Sequence, residues 1–297
     1  MSVRPVSRSG DRIQGEPAVR QARRAGRRDT AVKYLVWLAA GFTVLIVCFI
    51  LGYILIRGVP HLSLDLFAWK YTSENVSLLP AFVNTLTMTA LSLLIAAPLG
   101  VFSAVYLVEY ARRGNKLVGL VRITAETLSG IPSIVYGLFG FLLFVVRLQW
   151  SYSLLAGIMT LAIMILPVIM RTTEEALQAV PDSYREGSFG LGAGRLRTVF
   201  RLVLPAASPG ILAGVVLSIG RIVGETAALI YTAGTVAQIP NSLMGSGRTL
   251  SVHMYALWQE GMNTEQSYAT AVVLLVIVVG LNALSSSIAK RIGQRAR

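Results

Sequence analysis

Residues 181–209 read Pro181-Asp182-Ser183-Tyr184-Arg185-Glu186-Gly187-Ser188-Phe189-Gly190-Leu191-Gly192 and run on through Leu202-Val203-Leu204-Pro205 to Pro209. Pro181 brings a φ already set for the first turn of a helix, so the spacing predicts a short helix over 182–190. Gly192 stands where a C-terminal cap or a tight elbow wants a residue without Cβ. Beyond it Leu196, Val199, Phe200 and Val203 recur with the period of one helical face, which predicts a second helix over 196–204. Pro205 is expected to end that helix, and Pro209 to let a long apolar stretch begin. The product is a compact helix-turn-helix element with an apolar face, of the kind that docks into a partner's groove.

On either side of this element the chain is built from long uncharged runs. There are 23 uncharged residues between Lys33 and Arg57, 34 between Glu74 and Glu109, 20 between Glu126 and Arg147, 23 between Arg147 and Arg171, and 24 between Glu265 and Lys290. A bilayer core needs about 20 apolar residues as helix, so each run holds one span. A further span falls in 207–236, interrupted only by Arg221 and Glu225. The expected fold is therefore an all-α membrane protein with six transmembrane helices, at 34–56, 80–107, 128–146, 152–170, 207–236 and 268–289. Composition agrees. Of the 297 residues 54% are hydrophobic and only 14% charged, with a mean hydropathy of +0.64, whereas soluble domains carry about a quarter charged residues. The single cysteine, Cys48, excludes an intramolecular disulfide and a zinc cluster.

The net charge of +13 is unevenly placed. Lys and Arg number nine in 1–33, four in 108–127, five in 171–206 and four in the C-terminal tail, against four (Arg57, Lys70, Arg147, Arg248) in the alternate segments. By the positive-inside bias both termini face the cytoplasm. Three regions follow: a basic arm 1–33, expected to be disordered and attracted to anionic headgroups rather than to nucleic acid; the first transmembrane helix with its outer loop, 34–79; and a five-helix core, 80–297, that carries the inner loop 171–206. The first apolar stretch is too long for a cleaved signal peptide and reads as a retained anchor. Pro98, Pro132 and Pro167, with Gly100, Gly130 and Gly137, predict bent, closely packed helices. The outer connection 237–267 is expected to hold a short helix at 249–260. Within it His253 and Trp258 are too isolated for a metal site. Glu126 is read as a structural residue at the inner end of the third span.

The inner element resembles the coupling loop of the permease subunits of ABC importers, whose signature runs Glu-Ala-Ala, three residues, Gly, nine residues, Ile, one residue, Leu-Pro. Glu186, Gly192, Leu204 and Pro205 fall on that spacing, with Gly187 and Ser188 in the alanine slots and Leu202 in the isoleucine slot. Glu174-Glu175-Ala176 has the wrong spacing to Leu204-Pro205. Three further stretches look like the phosphate-importer branch, in its PstA-like rather than PstC-like form. They are Ser129 to Gly137, Arg171 to Leu177, and Gly220-Arg221-Ile222-Val223-Gly224-Glu225-Thr226-Ala227. The resemblance implies a type I importer permease fold with a cytoplasmic coupling helix, working by alternating access. Pro181, Tyr184, Glu186, Gly187, Ser188, Gly192, Leu202, Leu204 and Pro205 would then form the seat for an ATPase subunit (PstB-like). It also implies a second permease chain (PstC-like) and an extracytoplasmic phosphate-binding protein (PstS-like), delivered at the outer connection. A permease for sulfate, molybdate or phosphonate, or the PstC-like partner, is the alternative within the same superfamily.

Arg221 and Glu225 stand four apart in the fifth apolar stretch, so on a continuous helix they would touch. Arginine at membrane depth costs about 2.5–3.5 kcal/mol on insertion scales, and residues that bear such a cost are usually functional. Its planar donors suit phosphate oxygens. Glu225 would hold the guanidinium and accept the proton of HPO₄²⁻, which sulfate lacks. A purely structural or gating pair is the other reading. Elsewhere no Gly-x-x-x-x-Gly-Lys-Ser/Thr loop occurs, so ATP and Mg²⁺ belong to a partner and no cofactor is expected in this chain. The spans hold no set of groups for an intramembrane enzyme, and neither inverted repeats nor ionisable relays for a secondary transporter.

Overall fold

The computed structural model describes residues 15–112, 114–261 and 263–295, and the described residues are helical with no strand. They divide into two units, Met1–Leu55 and Ile56–Arg297. The first consists of most of α1, Gly15–Gly58, whose apolar side chains, among them Leu35, Trp37, Phe42 and Phe49, stand exposed as a lipid-facing helix requires. Residues 15–33, more than half of the arm expected to be disordered, continue this helix. Their run of Ala, Arg and Gln consists of good helix formers. The rest of that expectation, residues 1–14, lies outside the described residues.

The second unit follows in chain order. It comprises α2 (Leu79–Val105), α3 (Lys116–Ser129), α4 (Ser133–Gly140), α5 (Leu154–Gln178), α6 (Asp182–Gly190), α7 (Arg195–Thr198), α8 (Leu204–Val223), α9 (Ala227–Thr232), α10 (Leu250–Glu260) and α11 (Thr264–Arg295). Wide π-turns extend three of them: α2 through Tyr106–Tyr110, α4 through Phe141–Arg147, and α7 through Val199–Val203 into α8. Among the described residues, five helical stretches are long and apolar enough to cross a membrane: Val32–His61, Leu79–Tyr110, Leu154–Gln178, Arg195–Val223 and Thr264–Leu284. The sixth is a bent pair, Lys116–Ser129 with Ser133–Arg147, at 102°.

That bend falls where Gly130 and Pro132 predict one, but the third span, expected at 128–146, starts earlier, at Lys116. Gly130 closes α3 through its N–H to the Thr127 carbonyl, and Pro132, at ψ 139°, leads into α4 in extended backbone. Proline disfavours helical geometry in the residue before it, so the apolar run is broken in the middle. The fifth span is corrected too. Expected over 207–236, it begins at Arg195 and ends at Val223.

At the centre lies α5, with Ile158, Leu161, Met164, Ile165 and Ile169 wholly buried against Met88 and Ala96 of α2 and Ile222 of α8. Lipid tails are as apolar as leucine, so close packing rather than hydrophobicity holds such helices together. Small residues allow it: a Cβ on Gly214 of α8 would strike the Thr172 hydroxyl of α5, and one on Gly137 would lie 2.7 Å from Ala228 Cα. Buried hydroxyls bond within or between helices, as Ser92 Oγ does to the Ile158 carbonyl at 3.1 Å.

Candidate functional site

The element read from 181–209 forms one end of the second unit. Pro181 precedes α6 with φ −56°, and the helix ends at Gly190 as its spacing predicts. Gly192 takes φ +80°, a left-handed conformation that costs a residue with Cβ about 1–2 kcal/mol. Its N–H bonds the Phe189 carbonyl at 2.9 Å while Ala193 N–H bonds Ser188 at 3.1 Å. These two bonds satisfy carbonyls a helix end leaves open. Ser188 Oγ then meets Thr198 Oγ1 at 2.8 Å and ties α6 to α7.

The second helix differs from expectation. It does not stop at Pro205 but runs unbroken from Arg195 to Val223. Pro205 sits in the first turn of α8, directly after the π-turn, where a missing N–H is tolerated. Pro209 leaves the Pro205 carbonyl without its helical donor, and Ser208 Oγ fills the place at 2.8 Å. Leu202, Leu204 and Pro205 therefore belong to the foot of a span. Tyr184, Leu191, Leu196 and Phe200 are exposed, Leu191 at 91%. Between α6 and this foot lies an open groove of about 580 Å³, lined by Tyr184, Gly187, Ser188, Leu191, Arg197 and Leu202. Glu186 is exposed and makes no hydrogen bond or ion pair among the described residues.

Arg185, which sequence reasoning passed over, is the best-connected side chain at this end. Its Nη2 donates to Glu109 Oε1 at 2.7 Å and to the Leu177 carbonyl at 2.9 Å, and its Nε to Glu109 Oε1 at 3.1 Å. Nη1 donates to the Val180 carbonyl at 2.8 Å and to Asp182 Oδ1 at 3.2 Å. The hydrogen bonds it donates to Glu109 above all hold its pKa above the usual arginine value. Nearby, Arg122 pairs with the nearly buried Glu174, and Arg171 of α5 meets Glu126 of α3 at 3.3 Å and Glu175 at 3.2 Å. Glu126 thus has the structural place expected of it, and Glu174-Glu175 braces α5.

Arg221 and Glu225 do not pair. Gly224 ends α8 with its N–H on the Gly220 carbonyl, so the helical register that would bring the two together is lost. Glu225, 8% exposed, instead accepts the Ala228 N–H at 3.0 Å and caps α9, where a negative charge suits the helix dipole. Ser251 Oγ of α10 donates to the Glu225 backbone carbonyl. Arg221 is left half-buried with no ion pair among the described residues, its charge within electrostatic reach of the Tyr136 hydroxyl on α4.

At the far end of α2, Asn84 Nδ2 donates to the carbonyls of Gln238 (2.8 Å) and Arg248 (3.1 Å), and Thr85 Oγ1 accepts the Leu250 N–H at 2.9 Å. Arg248 is 4% exposed, its guanidinium 4.9 Å from the centre of the Tyr71 ring. His253 packs edge-on against that ring from α10, the helix expected at 249–260. Burial first, and then the Arg248 charge, push the His253 pKa down to about 3. His253 is a neutral packing residue, and Trp258 is exposed.

The sequence profile of the family described as "Binding-protein-dependent transport system inner membrane component" matches residues 96–297. The chain belongs to that family. Among relatives of this permease, the phosphate transport system permease protein PstA of Pasteurella multocida is 34% identical over 83% of this chain and 90% of its own. The probable ABC transporter permease protein YqgI of Bacillus subtilis is 34% identical over 76% and 81%. PstA 2 of Mycobacterium bovis is 31% identical over 89% and 90%. Among solved structures, a bacterial alginate ABC transporter in complex with its periplasmic protein superposes with a TM-score of 0.63 at 17% identity, covering 90% of the permease and 97% of that chain. The inward-facing MetNI methionine ABC transporter gives 0.55 at 21%, covering 82% and 97%. The permease thus has the type I importer fold, and it is a multi-pass membrane protein.

Proposed function

We propose that this permease is the PstA-like subunit through which an ATP-driven importer passes inorganic phosphate into the cytoplasm, both of its termini lying on the cytoplasmic side. The observation that carries the reading is α6, a short helix capped at Gly192 that presents Tyr184 and Leu191 beside an apolar groove at a polar end of the molecule. Exposed apolar side chains beside a groove mark a docking surface, and here the occupant is a cytoplasmic ATPase subunit that binds the ATP and Mg²⁺. The exposed flanks leave room for a second, PstC-like permease chain along the pathway. The opposite end, with α10 and the loop before it, would receive phosphate from a PstS-like binding protein.

Phosphate itself is argued from Arg221, a half-buried cation without a resident counter-charge, and from the PstA relatives. Guanidinium donors match phosphate oxygens in geometry and charge. Glu225, engaged as the cap of α9, shapes the break in the span and presents its remaining carboxylate oxygen to the protonated anion. Competition in proteoliposomes tests the substrate. Excess unlabelled phosphate should suppress ATP-driven uptake of radiolabelled phosphate, whereas equal sulfate, molybdate or phosphonate should leave it nearly unchanged. Suppression by one of those anions at lower concentration than phosphate would assign the permease to that anion instead.

A further inference from the structure

We propose that Arg185 and Glu109 form a latch that hands movement of α6 to α2 and α5, with Arg185 as a positioning residue of the transport cycle. The inference deepens the permease reading and rests on it. No side chain of α6 is buried, so packing alone does not fix this helix to the bundle. Arg185 does. All five of its N–H donors are taken: by the Glu109 carboxylate at the end of α2, by the Leu177 and Val180 carbonyls at and just beyond the end of α5, and by Asp182 on α6 itself. The Arg185 and Glu109 side chains are 14% and 8% exposed. A largely enclosed pair of this kind is expensive to open, because separation leaves a poorly compensated charge on each side. The π-turn Tyr106–Tyr110 that bears Glu109 is closed by Ala111 N–H on the Tyr106 carbonyl at 2.9 Å, so the acceptor sits on hydrogen-bonded backbone.

What the latch grips reaches across the second unit. From Leu79 to Val105 α2 is one helix of 27 residues, about 40 Å long at 1.5 Å per residue. Its other end holds the loop before α10 through Asn84 and Thr85. A displacement of α6 therefore pulls a single rod whose far end grips the loop proposed to meet the binding protein.

The test uses the assembled transporter with Cys48→Ser and spin labels at Tyr106→Cys and Gly190→Cys. Tyr106 is exposed, and a side chain added at Gly190 meets open space. In the otherwise unaltered complex the distance between labels should be the same with and without trapped ATP, since α6 and α2 move as one. In Arg185→Gln and in Glu109→Gln the distance should shift with ATP, and phosphate carried per ATP should fall about tenfold, the scale of one coupling free energy, while ATP hydrolysis persists. An ATP-dependent shift in the unaltered complex, or unchanged phosphate per ATP in both variants, overturns the latch. So does loss of assembly in both variants while Arg171→Gln assembles, because the pair would then serve folding alone. A fixed label distance in a complex that carries no phosphate would sink the substrate assignment and leave the latch standing.

Discussion

A half-buried arginine without a counter-ion is an unusual residue for a membrane protein to keep, and among the described residues Arg221 has no ion-pair partner. Its cost is tolerable only where water or an anion reaches it. Arg221→Gln keeps the length and some donors but removes the charge. ATP-driven phosphate uptake should fall to background while the ATPase still co-purifies with the permease. Uptake at the unaltered rate would assign the anion passage elsewhere. His253 makes the opposite case, an ionisable group that the fold keeps neutral. Unfolded, it titrates near 6.5; folded, only at about 3. Between those values the unfolded chain binds the extra proton, so stability is complete above pH 6.5 and declines as pH falls toward 3. Thermal melting in detergent should show that decline, and His253→Gln, which has no proton to take up, should flatten it.

The same residues mark how far sequence could be read. Gly192 was legible because a left-handed cap leaves glycine at a fixed distance from the helix start. Arg221 and Glu225 were legible as an unusual pair in an apolar stretch, but their separation was not. Gly224 is a weak breaker by itself, and nothing in the local sequence shows that the Glu225 carboxylate goes instead to the N-terminus of α9. Arg185 was invisible because its carboxylate partner lies 76 residues earlier in the chain.

Among the elements, prolines behaved in two ways for physical reasons. Pro132 breaks a span because Gly130 and extended backbone stand beside it. Pro205 and Pro209 do not, because a π-turn precedes the first and Ser208 supplies the donor lost at the second. Hydropathy found a run for each span but misplaced the ends of the fifth, and it was Gly130 and Pro132, not hydropathy, that marked the bend of the 102° pair. The α6 elbow gives a prediction at this scale. Gly192→Ala meets no neighbouring atom but forces a Cβ into φ +80°, so the elbow should lose about 1–2 kcal/mol. Reduced co-purification of the ATPase with little change in the melting of the membrane bundle is the expected result. Unchanged co-purification would show that the elbow's geometry is not what the partner reads.

At the largest scale, the second unit is a bundle centred on α5 with a charged, hydrogen-bonded end at α6 and the buried cation Arg248 at the opposite end. On the proposed function, α6 is the place where an ATPase seats. Leu191, at 91% the most exposed of the element's large apolar residues, is the position from which to test it. A photo-crosslinking amino acid placed there, in membranes carrying the complete transporter, should yield one major adduct, to the ATPase subunit, with a yield that changes when ATP is trapped. Adducts to lipid or to other proteins alone, in membranes that still take up phosphate, would contradict the account.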